Sequence, residues 1–138
     1  MIVTCFLGWF IAQFIKVILT LIKDKKIDFR RFVGSGGFPS SHASLVTSLA
    51  TAVGIINGVS STEFTITVVL AVIVMSDAAG VRRAAGQQAR ILNKIVEEWD
   101  FKDHTKTDKR LKELLGHTPK EVFAGAILGI VVALVRHI

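Results

Sequence analysis

The chain has 138 residues, enough for one domain, and combines 51% hydrophobic residues with a formal net charge of +6. A mean hydropathy of +0.53 and a pI near 9.8 argue against an ordinary soluble domain, and the basic charge is confined to two stretches between apolar runs, which favours a membrane surface or a phosphate-bearing substrate over nucleic acid. Cys5 is the single cysteine, which excludes an internal disulfide framework and a Cys-based metal cluster.

Ile2 to Ile22 is apolar except for Thr4, Gln13, Lys16 and Thr20, and a helix of that length rises about 30 Å, the thickness of a bilayer core. It lacks the basic start and small-residue cleavage site of a signal peptide and reads as a retained span. A basic stretch follows, KDKKIDFRR, with five basic residues against two acids. Ser41 to Val59 and Phe64 to Ala79 read as two further spans, an antiparallel pair joined by the polar turn SSTE. Ala, Gly, Ser and Thr crowd the first of the two, as expected where helices pack closely in lipid.

Beyond them, VRRAAGQQARILNKIVEEW continues with helical periodicity, with Val81, Ala84, Ala85, Ile91, Leu92, Ile95 and Val96 recurring on one side. A mixed-charge link is expected over about 97–115, and the last span over 119–138. The expected architecture is an all-α integral membrane bundle, one domain over 1–138, with about four transmembrane helices and a cytoplasmic helical extension. With four alternating spans both basic loops fall on one side, and the positive-inside rule places them in the cytoplasm with both termini outside. Basic residues kept to bind phosphate would bias that count in the same direction.

Three constellations carry chemistry. In GGFPSSHAS, Pro39 suits a first helical turn and Ser40 or Ser41 can cap its free N–H groups. The same geometry is an anion site, with free amides, small hydroxyls, two glycines at Gly36 and Gly37 that admit close approach, and His42 beside them. In GHTPKEVFAGAILG, Thr118, Pro119 and Glu121 fit a capping box. That motif leaves His117 unexplained, four residues before Glu121, where a carboxylate can hold one ring nitrogen and leave the other exposed as a nucleophile or base. In SDAAGVRRAAGQQ, Asp77 ends a span and Arg82 and Arg83 follow. They read either as interfacial anchors with Asp77 as a local partner or as guanidinium forks for phosphate oxygens. A metal held by His42, His117, Asp77 and Glu121 is a weaker alternative, and no nucleic-acid motif is present.

At these residues the sequence resembles the type 2 phosphatidic acid phosphatase superfamily, which includes vanadium-dependent haloperoxidases, and in particular its divergent branch of small bacterial and plant membrane proteins. Pro39 to His42, PSSH, is similar to the superfamily's Pro-Ser-Gly-His motif, and HTPKEVFAGAILG is similar to the end of its third motif. GGFPSSHAS, DAAGVRRAAGQQA and LGHTPKEVFAGA together resemble the divergent branch from about Gln13 to the C-terminus. The resemblance implies that His117 is the nucleophile, forming a phosphohistidine, that Glu121 orients it and that His42 protonates the leaving alkoxide. It further implies that Ser40, Ser41 and a basic side chain of the first loop, Lys25 or Lys26, hold the phosphate, without a metal or other cofactor.

The sequence departs from the superfamily at three places. Arg110 and Leu111 stand where the third motif has Ser-Arg, Ser41 stands where the second has glycine, and Lys23 and Arg30 are followed by Arg31 instead of proline. Arg82 or Arg83 is the candidate substitute for the missing arginine. The expected function is metal-independent hydrolysis of a lipid-linked phosphate at the cytoplasmic face of a bacterial plasma membrane. The alternatives are a non-catalytic lipid-phosphate binding protein and a purely structural bundle. Membrane lipids and the lipid phosphate are the expected partners, with nucleic acid excluded and a homodimer compatible with the small buried surface.

Overall fold

The computed structural model describes residues 1–24, 37–103 and 116–138, and among them all regular structure is helical. Helix α1 spans Ile2–Asp24, α2 Ser41–Asn57, α3 Thr62–Ser76, α4 Arg82–Asp103 and α5 Pro119–His137; a π turn, Asp77–Val81, joins α3 to α4. Helix α4 therefore runs into the stretch expected as a charged link, and the remainder of that link, with Arg110 and Leu111, lies outside the described residues.

Helix α2 is the centre of the bundle, packed against α5, α1 and α3, while α1 also meets α5. Its residues explain why. Ser41, Ala43, Ser44, Val46, Thr47, Ser48, Ala50, Ala52 and Val53 are buried, so almost every side chain at the interface is small. Gly125 and Gly129 on α5, spaced four apart, lie on the facing surface. A Cβ on Gly125 would overlap the Ser40 carbonyl, and one on Gly129 would overlap Thr47 Oγ1 and the Ser44 carbonyl. Small residues at this spacing let helix backbones approach closely in lipid, where dispersion and interhelical hydrogen bonds replace the hydrophobic effect. Thr47 Oγ1 also donates to the Ala126 carbonyl at 3.1 Å, and Ser44 Oγ to the Gly8 carbonyl of α1 at 2.8 Å.

The polarity of the bundle is inverted relative to a soluble domain. Thr4, Ser40, Ser44 and Ser48 are fully buried, whereas Phe6, Phe10 and Phe14 of α1, Ile66, Val69 and Ile73 of α3, and Phe123 and Val135 of α5 are exposed. Apolar side chains outward and bonded hydroxyls inward is the arrangement lipid requires. Ile2–Ile22 and the continuous helix Thr62–Glu98, 37 residues across the π turn, are each long and apolar enough to cross a membrane. The chain is an all-α membrane bundle.

Helices α2 and α3 pair through a short connection in which Gly58 takes φ 87° and Ser61 Oγ accepts from the Phe64 amide at 3.1 Å. Gly54 leaves room there for the Phe64 ring. The start of α2 differs from expectation. Ser40, with φ −70° and ψ 115°, is the cap and accepts from the Ala43 amide at 3.3 Å, which leaves Pro39 just ahead of the helix instead of in its first turn.

Replacing Gly129 by leucine is expected to destabilise the bundle by about 1–3 kcal/mol or more through overpacking, read as a lower midpoint in thermal unfolding in detergent. Gly80→Ala, where an added Cβ meets nothing within 4 Å, is the control expected to stay within about 0.5 kcal/mol of the parent.

Candidate functional site

Three backbone contacts gather the site at one end of the bundle. The Ser40 amide donates to the Glu121 carbonyl at 2.9 Å, which fixes the first turns of α2 and α5 side by side. The His117 amide donates to the Ala78 carbonyl at 3.0 Å, tying the segment before α5 to the π turn. Gly116 has no side chain because its Cα lies against the Arg83 backbone, where a Cβ would collide. Ala43, Ala78 and Val122 close the space beneath, with Met75 and Ala79 against them.

The beginning of α5 is held by a complete capping box. Thr118 Oγ1 accepts from the Glu121 amide at 3.4 Å, and Glu121 Oε2 accepts from the Thr118 amide at 3.0 Å. The same Oε2 lies 3.3 Å from His117 Nδ1. One carboxylate thus caps the helix and orients the imidazole, placing the proton on Nδ1 and leaving Nε2 with its lone pair. His117 is only 2% exposed, and its Nε2 has no hydrogen-bond partner among the described residues. The Gly37 backbone also favours the protonated ring but does not complete a bond to Nε2. Burial is the largest influence on this histidine and pushes it below its usual range, with the Lys16 charge acting in the same direction; Glu121, by hydrogen bond and charge, and the Gly37 backbone oppose them. The ring is therefore neutral at pH 7.

His42, in the first turn of α2, presents its ring to His117 with centroids 6.0 Å apart and planes at 64°. Arg82, His117, Lys16 and Asp77 are the charged or titratable groups near enough to act on it. Ser40 and Ser41 are buried beside it, and Gly37, at φ 92°, turns the chain into α2. The N-termini of α2 and α5, fixed side by side, bring two positive dipole ends to this space, although the cap bonds already occupy the Ala43, Thr118 and Glu121 amides.

The basic residues separate into distinct roles. Arg82 Nε lies 2.7 Å from Asp77 Oδ2, with side chains 47% and 40% exposed, so the local ion pair is formed at the rim of the site. Arg83 touches the site through its backbone at Gly116 and its side chain is exposed. Lys25, Lys26 and Gly36 lie outside the described residues. Among the described residues no three His, Cys, Asp or Glu side chains form a set able to hold a metal ion.

One residue of the site escaped the sequence reading. Lys16, on the inward face of α1 with Thr4, Cys5, Gly8, Ala12 and Gln13, is 3% exposed. Its methylenes run along Gly37, where a Cβ would lie 3.3 Å from Cδ, and its charge reaches Glu121, His42 and His117. Its Nζ has no hydrogen-bond partner among the described residues. The available signal was a single charge in an otherwise apolar span, a feature that by itself suggests function.

A family model described as the Divergent PAP2 family matches residues 1–132. The chain is 44% identical over 134 residues to the "Uncharacterized membrane protein YuiD" of Bacillus subtilis (strain 168), a match covering 90% of this chain and 85% of the relative. No solved structure matches.

A nitrogen-NMR titration of the purified protein is expected to place the His117 midpoint below 6.5. Glu121→Gln, which keeps the cap but removes the charge, should lower it further. Since the folded value lies below the unfolded one, the folded state binds fewer protons, and this histidine costs stability as pH falls below about 6.5. A midpoint that rises in Glu121→Gln would contradict the arrangement.

Proposed function

Because the chain belongs to the Divergent PAP2 family, we propose that it is a metal-independent phosphatase acting on a lipid-linked phosphate, with His117 as nucleophile. The observation that carries the reading is the neutral, buried His117 imidazole, held through Nδ1 by Glu121 with Nε2 unbonded and His42 opposite. A nucleophile oriented by a third group and faced by a second titratable ring is the arrangement covalent phosphoryl transfer needs.

In the proposed reaction Nε2 attacks phosphorus, the P–O bond to the lipid alkoxide breaks, and His42 delivers a proton to that oxygen. Water, deprotonated by His42, then attacks the phosphohistidine, and inorganic phosphate leaves with Nε2 restored. Ser40, Ser41 and the free amides of the first turn of α2 stabilise the equatorial oxygens, the service phosphoryl transfer chiefly requires. Arg82, released from Asp77, and Arg83 are further candidates for the incoming headgroup, and Lys25 and Lys26 remain candidates in the basic loop.

With α1, α2, α3 and α5 as its spans, the protein would carry this site at the cytoplasmic face of a bacterial plasma membrane, at the depth of headgroup phosphates, a placement supported by the basic residues of the connecting loops. The lipid tail then lies against the outward apolar surfaces of the bundle. A reporter fused after Ile138 is expected on the outer side, and a cytoplasmic signal would overturn this orientation.

The test of activity is phosphate release by the detergent-solubilised protein from a panel of lipid phosphates with a chelator present. The parent is expected to turn over, His117→Ala to be inactive, and His42→Ala to lose about 10²–10⁴-fold. No release from any substrate would favour the second reading, a lipid-phosphate binding protein of the same family. That reading draws on the absence of the Ser-Arg pair, with Arg110 and Leu111 in its place.

A further inference from the structure

Lys16 has no structural task that its surroundings reveal. It stands eight residues before the end of α1 at Asp24, about 12 Å along the helix axis, and is almost completely buried with Nζ unbonded to any described residue. An ammonium enclosed without a partner costs several kcal/mol relative to an apolar side chain of similar shape. A bundle selected for stability alone would place methionine or leucine there.

The position is nevertheless specifically accommodated. Gly37, in the left-handed region at φ 92°, gives the lysine stem its passage, since any Cβ there would be strained and would crowd Cδ. The ammonium it conducts inward acts on Glu121, His42 and His117. Two buried, unbonded polar atoms, Lys16 Nζ and His117 Nε2, thus belong to one group of side chains. One is a cation and the other a lone pair, and a tetrahedral oxyanion would complement both, with oxygens toward the ammonium and phosphorus toward the imidazole.

We propose that Lys16, reaching the site from inside the first helix, is the cation that binds the phosphoryl group. The bound phosphate then lies within the bundle, inward of the exposed Arg82–Asp77 pair. The role rests on the phosphatase reading for its catalytic consequence but not for its binding consequence, and the two are separable by experiment.

The test compares the parent, Lys16→Met, Lys16→Gln and His117→Ala in detergent. Binding of inorganic phosphate is measured by calorimetry, competition by micellar phosphatidate is measured alongside, and unfolding midpoints are recorded. Lys16→Met and Lys16→Gln are expected to weaken inorganic phosphate binding by at least about 30-fold, a larger loss than in His117→Ala, which removes a neutral ring and no charge. Lys16→Met is expected to unfold at a higher temperature than the parent, the opposite of what loss of a structural lysine would do. Phosphatidate should compete for the same site, and tighter competition than by free phosphate identifies the lipid headgroup as the source of the anion.

Phosphate binding unchanged in both lysine variants overturns the proposal even if lipid phosphates are hydrolysed. A lower midpoint in both lysine variants likewise overturns it in favour of a packing role. Lys16-dependent phosphate binding with no turnover leaves the proposal standing and removes the phosphatase reading.

Discussion

The approach of α2 to α5 is the constraint on which the rest depends. Gly125 and Gly129 bring the α5 backbone against the carbonyls of Ser40 and Ser44, and this proximity allows the Ser40 amide to reach the Glu121 carbonyl. Only then do two helix N-termini open onto one space. With a larger residue at either glycine, His42 and His117 would belong to separate helix ends, and neither the facing rings nor the shared carboxylate would have chemical meaning. A packing motif of the membrane interior is in this way also the scaffold of the polar site.

The bundle divides its buried polar groups into two classes. Ser44, Thr47 and Ser48 donate to backbone carbonyls at 2.8–3.1 Å, which removes their desolvation cost and lets them act as small apolar residues. At the candidate site His117 Nε2 and Lys16 Nζ lack such partners among the described residues. Native proteins satisfy nearly all buried polar atoms, and these two are the atoms that the proposed phosphate would satisfy. Glu121 stands between the classes, completing a helix cap and holding the imidazole with the same oxygen.

Much of the frame was legible in the sequence because it rests on local rules. The apolar runs define α1, α2, α3 and α5, the Thr118–Glu121 spacing announces the capping box, and the four-residue step from His117 to Glu121 gives the oriented ring. The π turn was not legible, since Asp-Ala-Ala-Gly-Val suits an α-helix equally well and only the tertiary contact of the Ala78 carbonyl distinguishes the two. The role of Ser40 over Ser41 as cap depends on a backbone angle at Ser40. Lys16 was visible as a charge in a span, but its burial arises from α1 packing against α2 and α5, a long-range event no local pattern encodes. The basic loop drew attention because charge density is easy to read, whereas one enclosed ammonium is not.

The π turn places Asp77–Val81 as a wider coil inside an otherwise continuous helix. Such a coil is equivalent to one residue inserted into an α-helix, so the length of this segment is itself information. Deleting one of the five residues would let the helix close into regular form while α4 kept nearly its present rotation, because the wide coil holds the extra residue within a single turn. What would be lost is the coil itself, and with it the position of the Ala78 carbonyl that accepts from the His117 amide. A one-residue gap here would therefore spare the helix and disturb the site, so the DAAGV segment couples the length of the chain to the placement of His117.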